Sequence, residues 1–206
     1  MNNLFISILI PTFNRSNKII RLLNSLEKQT YKDFEIIIFN DQSTDNTMEV
    51  LNNFKTNSNM QIKIIDSKEK RYKHGAMNVL FDECTTKYAF LIDDDDELLE
   101  TAIEEALNEF LTLPNNESYC AVVGRCLSSI DNKMIGKPYP NDINIRGWSK
   151  SRKIANKIKG EKFSLLNMEI YKKYKMPEPK GITFVTEYLL WNKALNNYQE
   201  FYTNNI

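Results

Sequence analysis

Four consecutive aspartates at residues 93–96 are the segment of this 206-residue sequence whose residue types best suit metal chemistry. They directly follow the apolar run YAFLI at residues 88–92, which is typical of a buried strand. Mg²⁺ and Mn²⁺ prefer oxygen ligands and often bind one or two carboxylates together with substrate phosphates. Without a cation, adjacent carboxylates repel each other and some are driven neutral. The run therefore predicts a divalent-metal site. The alternative is a solvated acidic loop that caps a helix starting near Leu98.

Two further polar clusters, at residues 11–15 and 40–45, also follow apolar runs. Ligands of open α/β sheets bind outside the carboxyl ends of the strands, so we expect the three clusters to meet at one edge. Asp41 is either an ordinary turn residue or a carboxylate that accepts the N–H of a pyrimidine base. Asp45 is interpreted as a helix cap.

A basic group, Lys70, Arg71, Lys73 and His74, precedes a predicted helix at residues 76–84. It is either a solvated basic turn or a contact to the base or diphosphate of a nucleotide donor. His74 is the single histidine, which excludes a metal site built from several histidines. The sequence contains neither GxGxxG nor GxxxxGK[ST], so no glycine-rich phosphate loop is predicted.

Apolar spacing predicts alternating strands and helices over the first ~110 residues, and hence one α/β domain with a mainly parallel sheet flanked by helices. Later periodicity is weaker, and residues 128–160 are predicted to be loop-like. The predicted strands lie at residues 4–10, 34–39, 61–65, 88–92 and 119–123, and the helices carry apolar stripes at residues 19–26, 50–54, 76–84, 99–110 and 190–198.

Composition limits the classes of function. Lys plus Arg balances Asp plus Glu at 27 each, which argues against a nucleic-acid binder. Three cysteines without metal-ligand spacing indicate buried thiols in a reducing, cytoplasmic setting. We expect no signal peptide and no membrane span, because no apolar run approaches ~20 residues. A basic stretch either meets an anionic acceptor or membrane surface at the inner face, or is a solvated face; it comprises Lys150, Arg152, Lys153, Lys157 and Lys159.

Five sequence motifs together resemble the family 2 glycosyltransferases, which have the fold called GT-A: ISILIPTFNR, FEIIIFNDQSTDNT, HGAMN, YAFLIDDDDEL and TEYLLWNKAL. The resemblance implies a Rossmann-like, mainly parallel sheet. It further implies transfer of a sugar, with inversion, from a nucleotide-diphosphate donor such as a UDP-sugar to a glycan or lipid-linked acceptor, assisted by Mn²⁺ or Mg²⁺. Residues 1–110 would then form the nucleotide-sugar-binding half and residues 111–206 the acceptor-binding half. The oligomeric state is not predicted.

The resemblance also implies site residues. Glu187 takes the place of the family's catalytic Asp and is the candidate general base, with Asp142 or Glu161 next in order. Asp95 and Asp96 are the candidate metal ligands. The candidate donor contacts are Pro11, Thr12, Asn14, Arg15, Asp41, Arg71, Asn78, Asp93, Asp94 and Asp95.

The sequence departs from the family pattern at three places. Asn40 stands where an Asp is usual, Gln42 replaces a glycine, and Thr186-Glu187 replaces Glu-Asp. A non-catalytic sugar-nucleotide or glycan-binding module on the same fold therefore stays open as an alternative. A sugar-nucleotide pyrophosphorylase ranks low, because residues 11–15 contain no glycine.

Overall fold

The computed structural model describes residues 6–139, 143–146 and 160–205. Strands and helices alternate through the first half of the chain, and strands dominate the second. The elements are β1 (Ile6–Thr12), α1 (Ser16–Glu27), β2 (Phe34–Asn40), α2 (Thr47–Asn57), β3 (Gln61–Asp66), α3 (Tyr72–Glu83), β4 (Tyr88–Leu91), α4 (Ala102–Thr112), a 3₁₀ turn (Asn116–Ser118), β5 (Tyr119–Arg125), β6 (Ile143–Arg146), β7 (Lys162–Asn167), α5 (Met168–Tyr171), α6 (Tyr188–Leu195) and β8 (Gln199–Tyr202).

Eight strands of the described residues form one sheet in the order β3-β2-β1-β4-β7-β5-β8-β6. β3, β2, β1 and β4 are parallel, which confirms the predicted arrangement of the first half. β7 runs antiparallel between β4 and β5, β8 is parallel to β5, and β6 is antiparallel to β8. The mainly parallel α/β sheet is therefore confirmed, with antiparallel strands in its second half.

Both faces of the central strands are buried. In β1, Leu9 joins the apolar cluster that contains α3, whereas Ile8 and Ile10 join the opposite cluster that contains α1 and α4. This alternation follows from the two-residue period of a strand. Burial on both faces explains why β1, β2 and β4 are near-continuous apolar runs.

Two predicted helix boundaries were wrong. α3 begins at Tyr72, before residue 76, because the N–H groups of Arg71 and Tyr72 bond the Asp41 carboxylate. α4 begins only at Ala102, and Leu99 lies outside it, 59% exposed. The Leu99 carbonyl accepts both the Ala102 N–H, at 3.0 Å, and the Gln29 side-chain amide, at 2.8 Å, and the Glu100 carbonyl accepts the Thr30 N–H, so the residues before α4 form a turn bonded to the segment after α1.

The later part of the chain also corrects the prediction. β6 lies within the segment predicted to be loop-like, and α6 ends at Leu195, so Tyr198 is not helical.

Cys84 and Cys120 are buried free thiols, as predicted. Within the described ranges, no helix is long and apolar enough to cross a membrane. Two sets of predicted site residues lie outside the described residues: Asp142, the alternative candidate base, and the basic stretch Lys150, Arg152, Lys153, Lys157 and Lys159.

Candidate active site

The three polar clusters meet at the carboxyl ends of β1, β2 and β4, as expected. The Thr12 hydroxyl, at the end of β1, donates to Asp94 Oδ2 at 2.6 Å. The Asp41 N–H, after β2, donates to the Thr12 carbonyl at 2.9 Å. Thr12 thus ties the acidic run to the loop after β2, and the predicted rim is one connected surface.

The loop after β1 is held to the loop after β2 by side-chain caps. Asn14 has a φ of 52°, and its Oδ1 accepts the Thr44 N–H at 2.7 Å. Asp45 accepts N–H groups from Thr47 at 3.0 Å and from Ser16 at 3.4 Å, at the starts of α2 and α1. Burial acts against the charge, but these hydrogen bonds outweigh it and lower the pKa of Asp45. Asp45 thus bonds the first N–H of both helices, while Asn46 occupies the N-cap position of α2 and makes no side-chain cap bond.

Asp41 is a buried carboxylate with three partners in the chain. Its oxygens accept the N–H of Arg71 at 2.7 Å and of Tyr72 at 2.9 Å, and pair with the Lys70 ammonium at 3.0 Å. Burial lowers the pKa of Lys70, against the attraction of Asp41. Asp41 therefore caps the N-terminus of α3. Its contact with a nucleotide base stays a prediction.

Asn40 explains one departure from the family pattern. It is 1% exposed, and its amide donates to Asp66 Oδ1 at 2.8 Å on the neighbouring strand β3. An aspartate at this position would place a buried carboxylate in contact with the exposed carboxylate of Asp66, and like charges this close repel each other. The amide is thus the residue type that suits Asp66.

The four aspartates have different environments. Asp94 is buried; burial raises its pKa, against the Thr12 hydrogen bond and the Arg15 charge. Burial, followed by the charges of Asp93 and Asp95, raises the pKa of Asp96. The hydrogen bond from Lys18, at 2.9 Å, lowers the pKa of Asp95. Burial, more than repulsion between the acids, thus disfavours the charged forms of Asp94 and Asp96, whereas the Lys18 bond favours the charged form of Asp95.

The capping alternative for this run fails. α4 begins at Ala102 with Thr101 as its preceding residue, so residues 93–96 do not lie in its first turn. Asp93, Asp95 and Asp96 instead line a cavity of about 650 Å³. No group of three or more His, Cys, Asp or Glu side chains in the described parts of the chain converges as a ready metal site.

Glu187 lines the same cavity, just before α6, although it is far from the acidic run in sequence. Its side chain makes no capping bond to α6. The Lys73 ammonium lies 2.7 Å from Glu187 Oε1 and 2.5 Å from Asp93 Oδ1. Burial opposes its charge, but Glu187 and Asp93 outweigh burial and raise the pKa of Lys73. The predicted base and the acidic run are therefore joined by one lysine.

The rest of the cavity is formed by the second half of the sheet and its helices. Sequence analysis identified Trp191 only as part of an apolar helix stripe and did not identify Tyr171, Glu200 or Tyr202. The lining residues contributed here include Leu91, Ala121, Val123, Leu127, Ser164, Leu166, Tyr171, Trp191, Glu200 and Tyr202. This wall combines apolar and aromatic surface with a few polar groups, as ligand pockets usually do.

Two predicted donor contacts, Arg71 and Asn78, are engaged within the chain. Asn78 is buried and bonds the Met176 N–H and carbonyl at 2.8 and 2.9 Å. Asn78 and Arg71 both donate to Glu178, at 2.8 and 2.7 Å. Burial raises the pKa of Glu178, but the bonds from Arg71 and Asn78 outweigh it and lower the pKa overall. These residues hold the segment after Met176 onto α3, and their contact to a donor stays a prediction.

The chain is similar to known proteins in sequence as well as in structure. Residues 7–175 match the sequence model of the family described as glycosyl transferase family 2. The chain is 28% identical to the GalNAc(5)-diNAcBac-PP-undecaprenol beta-1,3-glucosyltransferase of Campylobacter jejuni, over 95% of this chain and 60% of that protein. It is 26% identical to an Escherichia coli UDP-Glc:alpha-D-GlcNAc-diphosphoundecaprenol beta-1,3-glucosyltransferase, over 66% of this chain and 51% of that protein. The chain spans less than two-thirds of either relative.

Solved structures agree on the fold. Staphylococcus aureus TarS, which has also been crystallised with UDP and with UDP-GlcNAc, superposes with a TM-score of 0.75 at 17% identity, over 98% of this chain and 35% of TarS. A Pyrobaculum calidifontis mannosyltransferase in complex with GDP-Man and Mn²⁺ gives a TM-score of 0.68 at 16% identity, over 97% of this chain and 55% of that chain. The predicted GT-A fold is confirmed. Because the family model covers more than half of its length, this chain belongs to glycosyl transferase family 2.

Proposed function

We propose that this chain is the donor-binding and catalytic part of a glycosyltransferase that moves a sugar, with inversion, from a UDP-sugar to a lipid-linked or glycan acceptor. One observation carries the proposal: a carboxylate from the second half of the chain, Glu187, lines the same cavity as Asp93, Asp95 and Asp96. A binding module has no need of a base beside its donor site. This placement favours the enzyme over the non-catalytic alternative.

The donor site lies on the rim after β1 and β2. Thr12, Asn14 and Arg15 follow β1, and Asp41 follows β2. The UDP complexes of TarS and the UDP-Glc in the name of the E. coli relative support a uridine nucleotide here. In this assignment, Pro11, Thr12, Asn14, Arg15 and Asp41 contact the nucleotide. Arg71 and Asn78 shape that site through Glu178, while Asp93, Asp94 and Asp95 face the sugar and diphosphate.

The acidic residues fit a divalent cation. Asp93, Asp95 and Asp96 line one cavity, and after burial it is the charges of Asp93 and Asp95 that raise the pKa of Asp96, so a cation between these carboxylates would relieve their repulsion. Two carboxylates with substrate phosphates are a usual ligand set for Mg²⁺ or Mn²⁺, so a preformed three-ligand site is not required. Asp95 and Asp96 would hold the ion. When bound, it supplies Lewis-acid stabilisation of the charge on the leaving diphosphate.

Glu187 acts as the general base. Its carboxylate takes the proton of the acceptor hydroxyl, whose oxygen forms a bond to the anomeric carbon as the bond from that carbon to the diphosphate oxygen breaks. The anomeric carbon gains oxocarbenium character on the way, as in glycoside hydrolysis. A single displacement from the opposite face gives inversion. The leaving group departs as the nucleoside diphosphate.

The acceptor lies on the aromatic side of the cavity, near Trp191 and Tyr202. The names of both relatives contain undecaprenol-linked diphosphates, which supports a lipid-linked acceptor and hence action at a membrane surface. Salt-sensitive binding to vesicles of phosphatidylglycerol and phosphatidylcholine is expected. Absent or salt-insensitive binding would remove the membrane contact from the proposal.

The first experiment measures donor binding. A ligand that binds only the folded state at about 100 times its Kd adds about 2.7 kcal/mol of stability. For a domain of this size, UDP with Mn²⁺ should then raise the Tm by roughly 5–10 °C. UDP release is then followed with UDP-glucose, UDP-galactose and their N-acetylated forms, with and without a lipid-linked GlcNAc diphosphate acceptor. Binding without release or transfer would favour the binding module, and no shift with any nucleoside diphosphate would refute the donor site.

A further inference from the structure

Lys73 joins the two halves of the active site. It lies in the first turn of α3, and its ammonium contacts Asp93 Oδ1 at 2.5 Å and Glu187 Oε1 at 2.7 Å. Asp93 follows β4 in the parallel half of the sheet, and Glu187 precedes α6 in the second half. The sequence left Lys73 either in a solvated basic turn or at the donor, whereas in the structure it lies between Asp93 and the proposed base Glu187.

The Glu187 carboxylate lies among other acidic side chains in the wall of the cavity. This wall carries six carboxylates, Asp93, Asp95, Asp96, Glu161, Glu187 and Glu200. Like charges in one wall repel each other, which would push the half-buried Glu187 side chain away from the group. Asp95 is offset by Lys18 at 2.9 Å and by Arg15 at 4.0 Å. Lys73 is the described cation that contacts both Glu187 and the acidic run.

The backbone that carries Lys73 is fixed on two sides. The N–H groups of Arg71 and Tyr72 bond Asp41 at the end of β2. The Arg71 guanidinium pairs with Glu178 at 2.7 Å. Gly75 keeps this packing close, because a Cβ there would lie 2.7 Å from Glu178 Oε2 and 2.8 Å from Arg71 Cβ. Lys73 therefore projects from a rigid turn, which suits a group that sets the position of another.

We propose that Lys73 is a positioning residue that holds the Glu187 carboxylate beside the donor-side acids, in reach of the acceptor hydroxyl. The inference rests on the proposed function, since it needs Glu187 to be the base. Lys73 acts through Glu187 and need not touch the donor. The competing role, a direct contact from Lys73 to the donor diphosphate, is an outcome that the test separates.

The test compares Lys73→Met with Lys73→Arg, which keeps the charge, and with Lys63→Met as a matched control. Lys63 also pairs with a glutamate, Glu83, at 2.5 Å, but lies on β3 away from the cavity. The measurements are UDP release from the UDP-sugar that the wild-type chain turns over fastest, and the Tm shift caused by UDP with Mn²⁺. A misplaced catalytic group costs on the order of 10²-fold.

We expect Lys73→Met to lower kcat by roughly 10²-fold with the donor KM and the UDP-dependent Tm shift little changed. Lys73→Arg should recover part of the loss, and Lys63→Met should behave as wild type. Lys73→Met combined with Glu187→Gln should be no slower than Glu187→Gln alone, because both changes act through one carboxylate. Lys73→Gln replaces Lys73→Met if the methionine variant does not fold.

Three results would overturn the inference: an unchanged kcat, a loss carried by the donor KM or the UDP-dependent Tm shift, or multiplicative effects in the double variant. The second result would make Lys73 a donor-binding residue. Failure of the proposed function looks different, because the wild-type chain itself would then show no UDP-dependent Tm shift or no turnover. That result would remove the inference together with the function.

Discussion

The two halves of the sheet are built in different ways. β1 to β4 are parallel, and each is followed by a helix, α1 to α4, that covers one face of the sheet. In the other half β7 lies between β4 and β5, so its neighbours are far away in sequence. The helices there are short, with four residues in α5 and eight in α6. The first half is a regular α/β unit, and the second is assembled from distant segments.

This difference assigns different tasks to the halves. The regular half places Thr12, Asp41 and Asp94 at strand ends, where hydrogen bonds between them hold one rim. The second half supplies Glu187, which reaches that rim through Lys73. Donor binding should therefore depend on the first half. The rate of the chemical step should depend on the contacts between α3 and the second half of the chain, at Met176, Glu178 and Glu187, which we call the seam.

The largest expected effect is on the transfer rate in Glu187→Gln. The substitution keeps the size of the side chain and removes the base, so transfer should fall by roughly 10²–10⁴-fold. UDP should still raise the Tm, because the donor rim is intact. The matched control is Glu169→Gln, which alters an exposed acid of α5 paired loosely with Lys87 at 3.9 Å. Equal transfer rates in the two variants would move the base to another residue, first Glu161.

The next effect is on the stability of the seam, in Asn78→Ala. Asn78 is buried and satisfies both the N–H and the carbonyl of Met176, which the alanine would leave without these partners. Unfolding in urea should show a loss of about 2–4 kcal/mol. Asn53→Ala, on the exposed face of α2, should stay within about 0.5 kcal/mol of wild type. If the two variants lose the same amount, Asn78 does not hold the seam.

The sequence predicted the regular half more closely than the other, for a physical reason. Strands buried on both faces are continuous apolar runs, so β1, β2 and β4 are visible in sequence. β7 (KFSLLN) and β8 (QEFY) are short and mixed, and nothing local marks them as central strands. Their stability comes from pairing with distant segments, which periodicity does not report.

The site divides in the same way. Residue type and spacing identified the acidic run, and the family resemblance identified Glu187. The contacts of Lys73 with Glu187 and of Arg71 with Glu178 were not predicted, because they depend on how distant segments pack. The start of α4 at Ala102 was likewise missed, since the turn before it is held by bonds from Gln29 to the Leu99 carbonyl and from Thr30 to the Glu100 carbonyl. Hydrogen bonds to distant residues thus determine where α4 begins, although the apolar spacing before Ala102 is typical of a helix.

A smaller effect is expected at Gln42, within the regular half. Gln42 is exposed and has a φ of 61°, a conformation that costs a non-glycine residue about 1–2 kcal/mol. Gln42→Gly removes this strain but makes the unfolded chain more flexible, so the net gain should be about 0.5–1 kcal/mol. Gln61→Gly, at the start of β3, is the control and should lose stability. A loss in both variants would show that the Gln42 side-chain bond to the Lys68 carbonyl outweighs the strain.

The smallest expected effect is on the pH dependence of stability, and it has opposite signs for Asp95 and Asp96. It is measured without metal, in EDTA. Burial and the neighbouring acids raise the pKa of Asp96, so its ionisation opposes folding once the pH rises above the usual range for Asp. Asp96→Asn should therefore match wild type near pH 3 and become more stable than wild type toward pH 7. Lys18 lowers the pKa of Asp95, so that carboxylate stabilises the fold at neutral pH, and this stability is lost as the pH falls through the lowered pKa. Asp95→Asn should then be less stable than wild type at pH 7, with the difference vanishing in acid. Thermal unfolding between pH 3 and pH 7 measures both differences, and shifts of the same sign in the two variants would refute the separation of the two carboxylates.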